Sequence, residues 1–355
     1  MSRTENDRSV VVIWRLLDGR PGHENQVRGL TSSLSQICPV KVCDVPVRRS
    51  HESIIRSWMV SLPKIAVLDS LPSPDLLIGA GHATHGPLLR LRRRYGGRSV
   101  VVMKPSLPTF LFDLCLIPRH DHLSFAHHNV IRTNGVLNRV QPSGNPDASR
   151  GLILVGGPSR HFRWSDDLVI QQITRILEKS SQSWTVATSD RTPDSFIRQW
   201  GYRLGQHPLM QPHQLSPDWL PEMLGQCGRV WVTCDSMSMI YEAITSGNCA
   251  GLIELPSVSE SRISRNVQSL ISSGLPSAMN PLIPAAEKTD LLPFLKRSEA
   301  HRCAEIVLDR LLNQHEEACH SAALSGMLGR IRRGLNHSWH GLCMWGNSLR
   351  EFASL

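Results

Sequence analysis

One pattern recurs along this 355-residue chain and leaves it few folds to choose from. A short run of β-branched and apolar residues gives way to a loop of small or polar residues, and then to a stretch with helical spacing. In the first half the runs are residues 10–16, 40–45, 75–79, 99–103 and 113–117, with helical stretches near 26–35 and 88–94. Strands and helices alternating in this way assemble as a parallel sheet covered by helices on both faces. Residues 140–150, VQPSGNPDASR, interrupt the pattern with the proline, serine, glycine and asparagine of a linker. It then restarts, with strands at 152–155, 184–188, 229–233 and 250–255 and helices near 167–179, 193–200, 217–226 and 237–246. The expected fold class is α/β. Two Rossmann-like domains, residues 1–140 and 141–295, face a cleft, and a helical C-terminal tail follows over 296–355. That tail carries the basic stretch Arg330–Arg333 with Trp339 and Trp345.

Composition excludes several classes. With 41% hydrophobic and 19% charged residues the chain is too apolar to be disordered and can bury two ordinary cores. No run reaches the roughly 18–20 apolar residues of a membrane span. The start, MSRTENDRSVVVIW, lacks the apolar core and cleavage site of a signal peptide. A cytoplasmic protein is expected, with a peripheral position at the inner face of the membrane as an option. The nine cysteines contain no C-x-x-C pair and read as reduced, mostly buried thiols. No metal site and no cofactor are expected. His315, Cys319 and His320 can share a helix face, but no second ligand pair accompanies them, and there is no D-x-D motif.

The net charge of +9 concentrates in part at Arg90, Arg92, Arg93 and Arg94, interleaved with leucines and followed by Tyr95. Such a run is ordinarily a solvated helix face. A basic, partly apolar helix also suits anionic lipid headgroups. No nucleic-acid-binding signature accompanies it, so nucleic acid is not an expected partner.

The most informative stretch is residues 230–255. A strand ends at Thr233, and Asp235, Ser236, Met237 and Ser238 open a helix whose unbonded N–H groups and positive dipole end suit a phosphate or diphosphate. Met239 lies in the same turn. Glu242, four residues after Ser238 on the same helix face, is placed to accept hydrogen bonds from both ribose hydroxyls. The plainer account is that Asp235 or Ser236 only caps a helix and Glu242 is solvated.

A second loop, Asp18-Gly19-Arg20-Pro21-Gly22-His23, follows the first strand. Its glycines allow a tight turn and close approach to a ligand. His23 then stands at the carboxyl edge of the sheet, where an imidazole can take a proton from an acceptor hydroxyl. The plainer account is a loop histidine bonded to backbone. Gly81 and His82 repeat the design after another strand, and Lys104 follows a fourth. Gly156, Gly157, Ser159 and Arg160 follow the first strand of the second half, and Ser189 with Arg191 the next. Each loop alone is ordinary turn chemistry; what marks them is their recurrence on one rim of each sheet.

The segments WRLLDGRPGHENQVRGL, PDLLIGAGHATHGPLLRLRR, VVMKPSLP, FDLCLIPRHDH, NVIRTNGVLN, LILVGGPSRHF, TSDRTP and VTCDSMSMIYEAITSG strongly resemble the mitochondrial-fission ELM family, in the same order, over roughly residues 10–295. Cys234 departs from the carboxylate or proline expected of relatives there. The resemblance implies a fold similar to GT-B glycosyltransferases, with the nucleotide-sugar held mainly by the second lobe. Carried over by position, Ser236, Ser238 and Glu242 resemble donor phosphate and ribose contacts. Gly19, Gly22 and His23 resemble the glycine-rich acceptor-side loop of lipid-linked sugar transferases.

The leading expectation is therefore a metal-independent glycosyltransferase that moves a sugar from a nucleotide diphosphate to a lipid or cell-envelope glycan. His23 acts as base, and backbone amides near Gly157 and over 236–238 receive the departing diphosphate, helped by Arg160 or Arg191. Two alternatives remain open: a non-catalytic adaptor that binds a protein or membrane partner, as the resemblance to the plant fission protein implies, and a nucleotide-sugar 2-epimerase on the same scaffold.

Overall fold

A computed structural model describes residues 10–47, 65–121, 123, 127–216, 218–279 and 298–313. The chain divides at Glu305/Ile306. The first unit carries two sheets, and the second is described only as far as Asn313.

The first sheet is formed by β1 (Val11–Leu17), β2 (Val40–Pro46), β3 (Leu76–Ala80), β4 (Arg98–Val102), β5 (Leu114–Pro118) and β6 (Val130–Thr133). They lie in the order β2-β1-β3-β4-β5-β6, and every pair is parallel. Helices α1 (Pro21–Ile37), α2 (Ile65–Asp69) and α3 (His82–Tyr95) belong to this lobe. β3 and β5 are buried at every position, because a parallel strand covered on both faces has no solvent side. Trp14, Leu16, Leu77, Leu88, Val101 and Ile117 form part of the core.

The second sheet contains β7 (Asp147–Val155), β8 (Ser183–Thr188), β9 (Leu209–Met210), β10 (Cys227–Thr233) and β11 (Cys249–Ile253). Its order, β11-β10-β7-β8-β9, is again all parallel. The accompanying helices are α4 (Asp166–Glu178), α5 (Asp194–Leu204), α6 (Trp219–Gln226), α7 (Met237–Thr245) and α8 (Arg262–Ser272). A separate core gathers Leu152, Ile153, Val169, Val186, Phe196, Trp200, Val230 and Ile253. Helix α9 spans Glu299–Val307, and the tail beyond Asn313, with Arg330–Arg333, Trp339 and Trp345, lies outside the described residues, as do His315, Cys319 and His320.

Each sheet has a point where the chain reverses its direction of growth. In the first, β1 leads outward to β2 and then returns to place β3 on its other side. In the second, β7 leads to β8 and β9 before β10 pairs with β7 from the opposite side. Parallel sheets open a crevice at such switch points, beyond the carboxyl ends of the strands. The loops after β1 and β3, and those after β7 and β10, are the ones that carry the residues singled out from sequence.

Several boundaries differ from expectation. The helix expected at 26–35 begins at Pro21, so Gly22 and His23 sit in its first turn. Proline suits that position because its missing N–H has no helical partner there. The helix expected from 88 begins at His82 and tolerates Pro87 inside it. The expected linker is shortened, because β7 starts at Asp147 and pairs with β8 and β10. β6, β9 and α8 carry weak sequence signals; α8 is nevertheless closed by a capping box between Ser261 and Ser264. The basic run lies on α3, where Arg92 binds Asp113 and Arg94 binds Asp69; Arg98, at the start of β4, also binds Asp113. Arg92 and Arg94, from the expected lipid-facing quartet, thus pair with carboxylates of their own lobe. Among the described residues no helix is long and apolar enough to cross a membrane.

Candidate functional site between the two sheets

Four helices follow a strand after a short loop: α1, α3, α5 and α7. Among the described residues none has a side-chain cap on its first-turn N–H groups, whereas α4 and α8 are capped by Ser165 and Ser261. Uncapped N-termini at the carboxyl rim keep their donors and dipole ends available to an anion.

In the first lobe, Asp18 is almost fully buried and accepts from His23 Nδ1 at 2.9 Å; its other oxygen accepts from the Arg20 amide at 3.1 Å. A carboxylate at Nδ1 holds the proton there and leaves Nε2 as the basic nitrogen, the tautomer a general base requires. The ring lies against Gly81, whose φ is +83°; a Cβ at that position would stand 2.2 Å from His23 Nδ1. Glycine is therefore demanded twice over, by conformation and by space. His82, at the start of α3, meets Ser106 Oγ through Nδ1 at 2.5 Å, and His85 Nδ1 meets the same oxygen at 3.1 Å. His85 is buried. Desolvation, with His82 and His23 nearby, drives its pKa down to about 4, so it is neutral at physiological pH. Lys104 is exposed on the loop that supplies Ser106.

The second lobe spends more of its polar groups internally than the sequence suggested. Asp235, whose side chain is fully buried, accepts from the Gly157 amide at 3.1 Å and from Arg191 Nη2 at 2.7 Å. Gly156 and Gly157 allow this approach: a Cβ on the first would meet Asp235 Oδ2 at 2.3 Å, and on the second the Arg191 carbonyl at 2.0 Å. The Gly157 amide and Arg191, expected beside a diphosphate, are thus bonded to Asp235 here, because a buried carboxylate must collect donors. Ser159 Oγ accepts from the amides of His161 and Phe162, Ser189 Oγ from the Arg191 amide, and Arg160 Nε faces His161 Nε2. Met239 packs against the lobe core. Cys234 is buried between β10 and β11, accepts from the Leu255 amide at 3.2 Å, and has its thiol pushed up to about 12 by desolvation.

Ser236 and Ser238 remain at the open end of α7. Ser238 Oγ lies 3.5 Å from the point where a Cβ on Gly22 would stand. One turn deeper, Glu242 is not solvated but buried, and its Oε1 accepts from Asn25 Nδ2 at 2.5 Å. Burial raises its pKa to about 7, against the opposing pull of the Asn25 hydrogen bond and the Arg139 charge. Asn25 Oδ1 accepts from Arg139 Nε at 3.3 Å, and Arg139 Nη1 binds Asp218 at 2.7 Å. Asn138 Nδ2 donates to Thr245 Oγ1 at 3.0 Å, and Gly29 presses on the Asn138 backbone. Tyr241 lies against Gly135 and stacks on His120, while Arg262 pairs with Asp121.

These contacts have a helical order. On α1 the residues involved are Gly22, Asn25 and Gly29, at i, i+3 and i+7; on α7 they are Ser238, Tyr241, Glu242 and Thr245, at i, i+3, i+4 and i+7. One face of each helix is turned to the junction of the lobes. Asn25 and Arg139 were not singled out from sequence. For Asn25 the clue was the glycine spacing around it, which a search for chemical motifs passes over. Among the described residues no group of three or more His, Cys, Asp or Glu side chains is arranged to hold a metal ion.

Two parallel-sheet lobes that meet at their switch points define a GT-B-like protein. Residues 21–311 match the family model described as Mitochondrial fission ELM1, and the chain belongs to that family. A curated relative, the uncharacterized protein RP120 of Rickettsia prowazekii (strain Madrid E), is 22% identical over 357 residues, covering 83% of this chain and 97% of its own. Among solved structures, a protein of Listeria monocytogenes provisionally named a UDP-N-acetylglucosamine 2-epimerase superposes with a TM-score of 0.55 at 12% identity, covering 87% of this chain and 98% of that one. A second UDP-N-acetylglucosamine 2-epimerase gives 0.50 at 11% identity, with the same coverage. At these identities the likeness is one of fold.

Proposed function

We propose that this protein is a metal-independent, GT-B-like glycosyltransferase that moves a sugar from a nucleotide diphosphate to a lipid or cell-envelope glycan acceptor. The observation that carries the reading is the opposition of two groups across one junction. The Asp18–His23 pair on the first lobe is suited to take a proton, and the buried Glu242 on α7 is suited to receive ribose hydroxyls. The amides of the first turn of α7 supply the seat for the diphosphate, and the α1 end faces them, so leaving-group charge develops between two positive helix ends. His23 takes the acceptor's hydroxyl proton as its oxygen attacks the anomeric carbon and the nucleotide diphosphate departs. Closure of the lobes would keep water from competing.

Binding tests this directly. Thermal stabilisation by UDP, GDP, ADP and CDP identifies the base, and Glu242→Ala should weaken the effective nucleotide at least about tenfold, the loss of one or two hydrogen bonds to a charged group. Undiminished affinity in that variant contradicts the ribose role. Product analysis with the matching nucleotide-sugar separates transfer from isomerisation.

The acceptor side supports a membrane-bound substrate. The loop that supplies Lys104 and Ser106 continues into a 3-10 turn, Thr109–Leu111, where Phe110 is 68% exposed, and Arg92 binds the Leu111 carbonyl beside it. Arg90 and Arg93 are exposed on α3. An apolar tip beside basic residues suits an anionic bilayer surface. Vesicles of phosphatidylglycerol and phosphatidylcholine should sediment the wild type and retain several-fold less of a Phe110→Ser/Arg93→Ala double variant. Equal recovery of both proteins refutes the surface.

A further inference from the structure

We infer that Asn25 is a positioning residue that occupies the place of the donor's ribose on Glu242 while the donor is absent, so that a ribonucleotide must displace it on binding. The inference rests on the reading of Glu242 given above and adds to it a competitor built into the first lobe.

Three observations carry it. Asn25 Nδ2 donates to Glu242 Oε1 at 2.5 Å, which is what a ribose hydroxyl would do. Glu242 is buried, so its carboxylate cannot be left without a donor when the site is empty. Asn25 comes from α1, 217 residues away in sequence, and is itself held by Arg139 Nε, whose Nη1 reaches Asp218 at the start of α6. Exchange of Asn25 for ribose therefore breaks a link between the lobes as it makes one to the ligand. The diphosphate end pays no such toll: Ser238 faces Gly22, which has no side chain to move.

That asymmetry makes the idea testable. A ligand that engages Glu242 competes with Asn25, and one that engages only the helix end does not. Isothermal titration of the full chain would compare the nucleoside diphosphate chosen by the thermal panel with inorganic pyrophosphate, in wild type, Asn25→Ala and Asn25→Ser. Removing the carboxamide leaves Glu242 short of a donor in the empty site, so Asn25→Ala should bind the nucleoside diphosphate at least about fivefold tighter, while pyrophosphate stays within about twofold. Asn25→Ser, whose hydroxyl still donates, should fall between. Unchanged or weaker nucleotide binding by Asn25→Ala, with wild-type pyrophosphate affinity, overturns the inference and leaves the proposed function standing. Equal tightening of both ligands overturns it as well, since that would report a general loosening of the lobes. If no nucleoside diphosphate binds the wild type, the proposed function falls and takes the inference with it. Circular-dichroism melting confirms that each variant is folded before titration.

Discussion

Between pH 4.5 and pH 7 the Glu242→Gln variant should gain about 3 kcal/mol of stability relative to wild type. Glu242 has an ordinary value of 4.5 and is raised to about 7 in the fold, first of all by burial. Over that window the native state holds a proton that the unfolded chain has released, so the free energy of unfolding falls as pH rises. Roughly 2.5 units at about 1.4 kcal/mol each gives the magnitude. His85 works in the opposite sense. Its ordinary value of 6.5 is lowered to about 4, again chiefly by burial, so the unfolded chain holds the extra proton and stability rises with pH between those values. The two slopes cancel between about pH 4.5 and 6.5. Chemical denaturation at half-unit intervals should show a Glu242→Gln profile that climbs with pH relative to wild type, and a His85→Asn profile that falls relative to it. Parallel curves for all three proteins would show that neither buried group titrates as its surroundings require.

The second large effect concerns catalysis. Under the proposed function, Asp18→Asn should lower the rate of sugar transfer by about 10²- to 10⁴-fold, the range a positioned general base contributes, with nucleoside diphosphate affinity changed less than about twofold. The substitution keeps shape but turns one of the two oxygens, which accept from the Arg20 amide and from His23 Nδ1, into a donor, so both bonds cannot be kept. His23→Gln should cost a similar factor, and the double variant little more, because the two act as one unit. The measurement is release of nucleoside diphosphate from the nucleotide-sugar, at saturating donor, with a membrane lipid extract as acceptor. A decline of less than threefold in Asp18→Asn would remove the Asp18–His23 pair from the chemistry.

Much of this region was legible in the sequence. His23, Gly81, Gly157, Asp235 and Glu242 could be located on strand-end loops or the helix starts behind them, since alternating periodicity marks where strands stop. Two lobes followed from the restart of the pattern. What stayed hidden was the partner of each polar group. Asp235 looked like part of an anion seat, and its partners in the fold are Gly157 and Arg191. Glu242 sat on the expected helix face, but its burial and its bond to Asn25 depend on the opposite lobe. Arg92 read as a solvated charge, although Asp113 is folded against it.

Local order along the chain was enough to establish the alternation of strands and helices, the class of architecture, and the rim that carries the candidate residues. Those features depend on residues within a few positions of one another, through backbone conformation and periodic burial. The pairing of α1 with α7, the occupancy of Asp235 and the protonation of Glu242 and His85 came only with the folded molecule. They are set by groups that approach from distant segments, and desolvation and hydrogen bonding act through space, with no regard for separation along the chain.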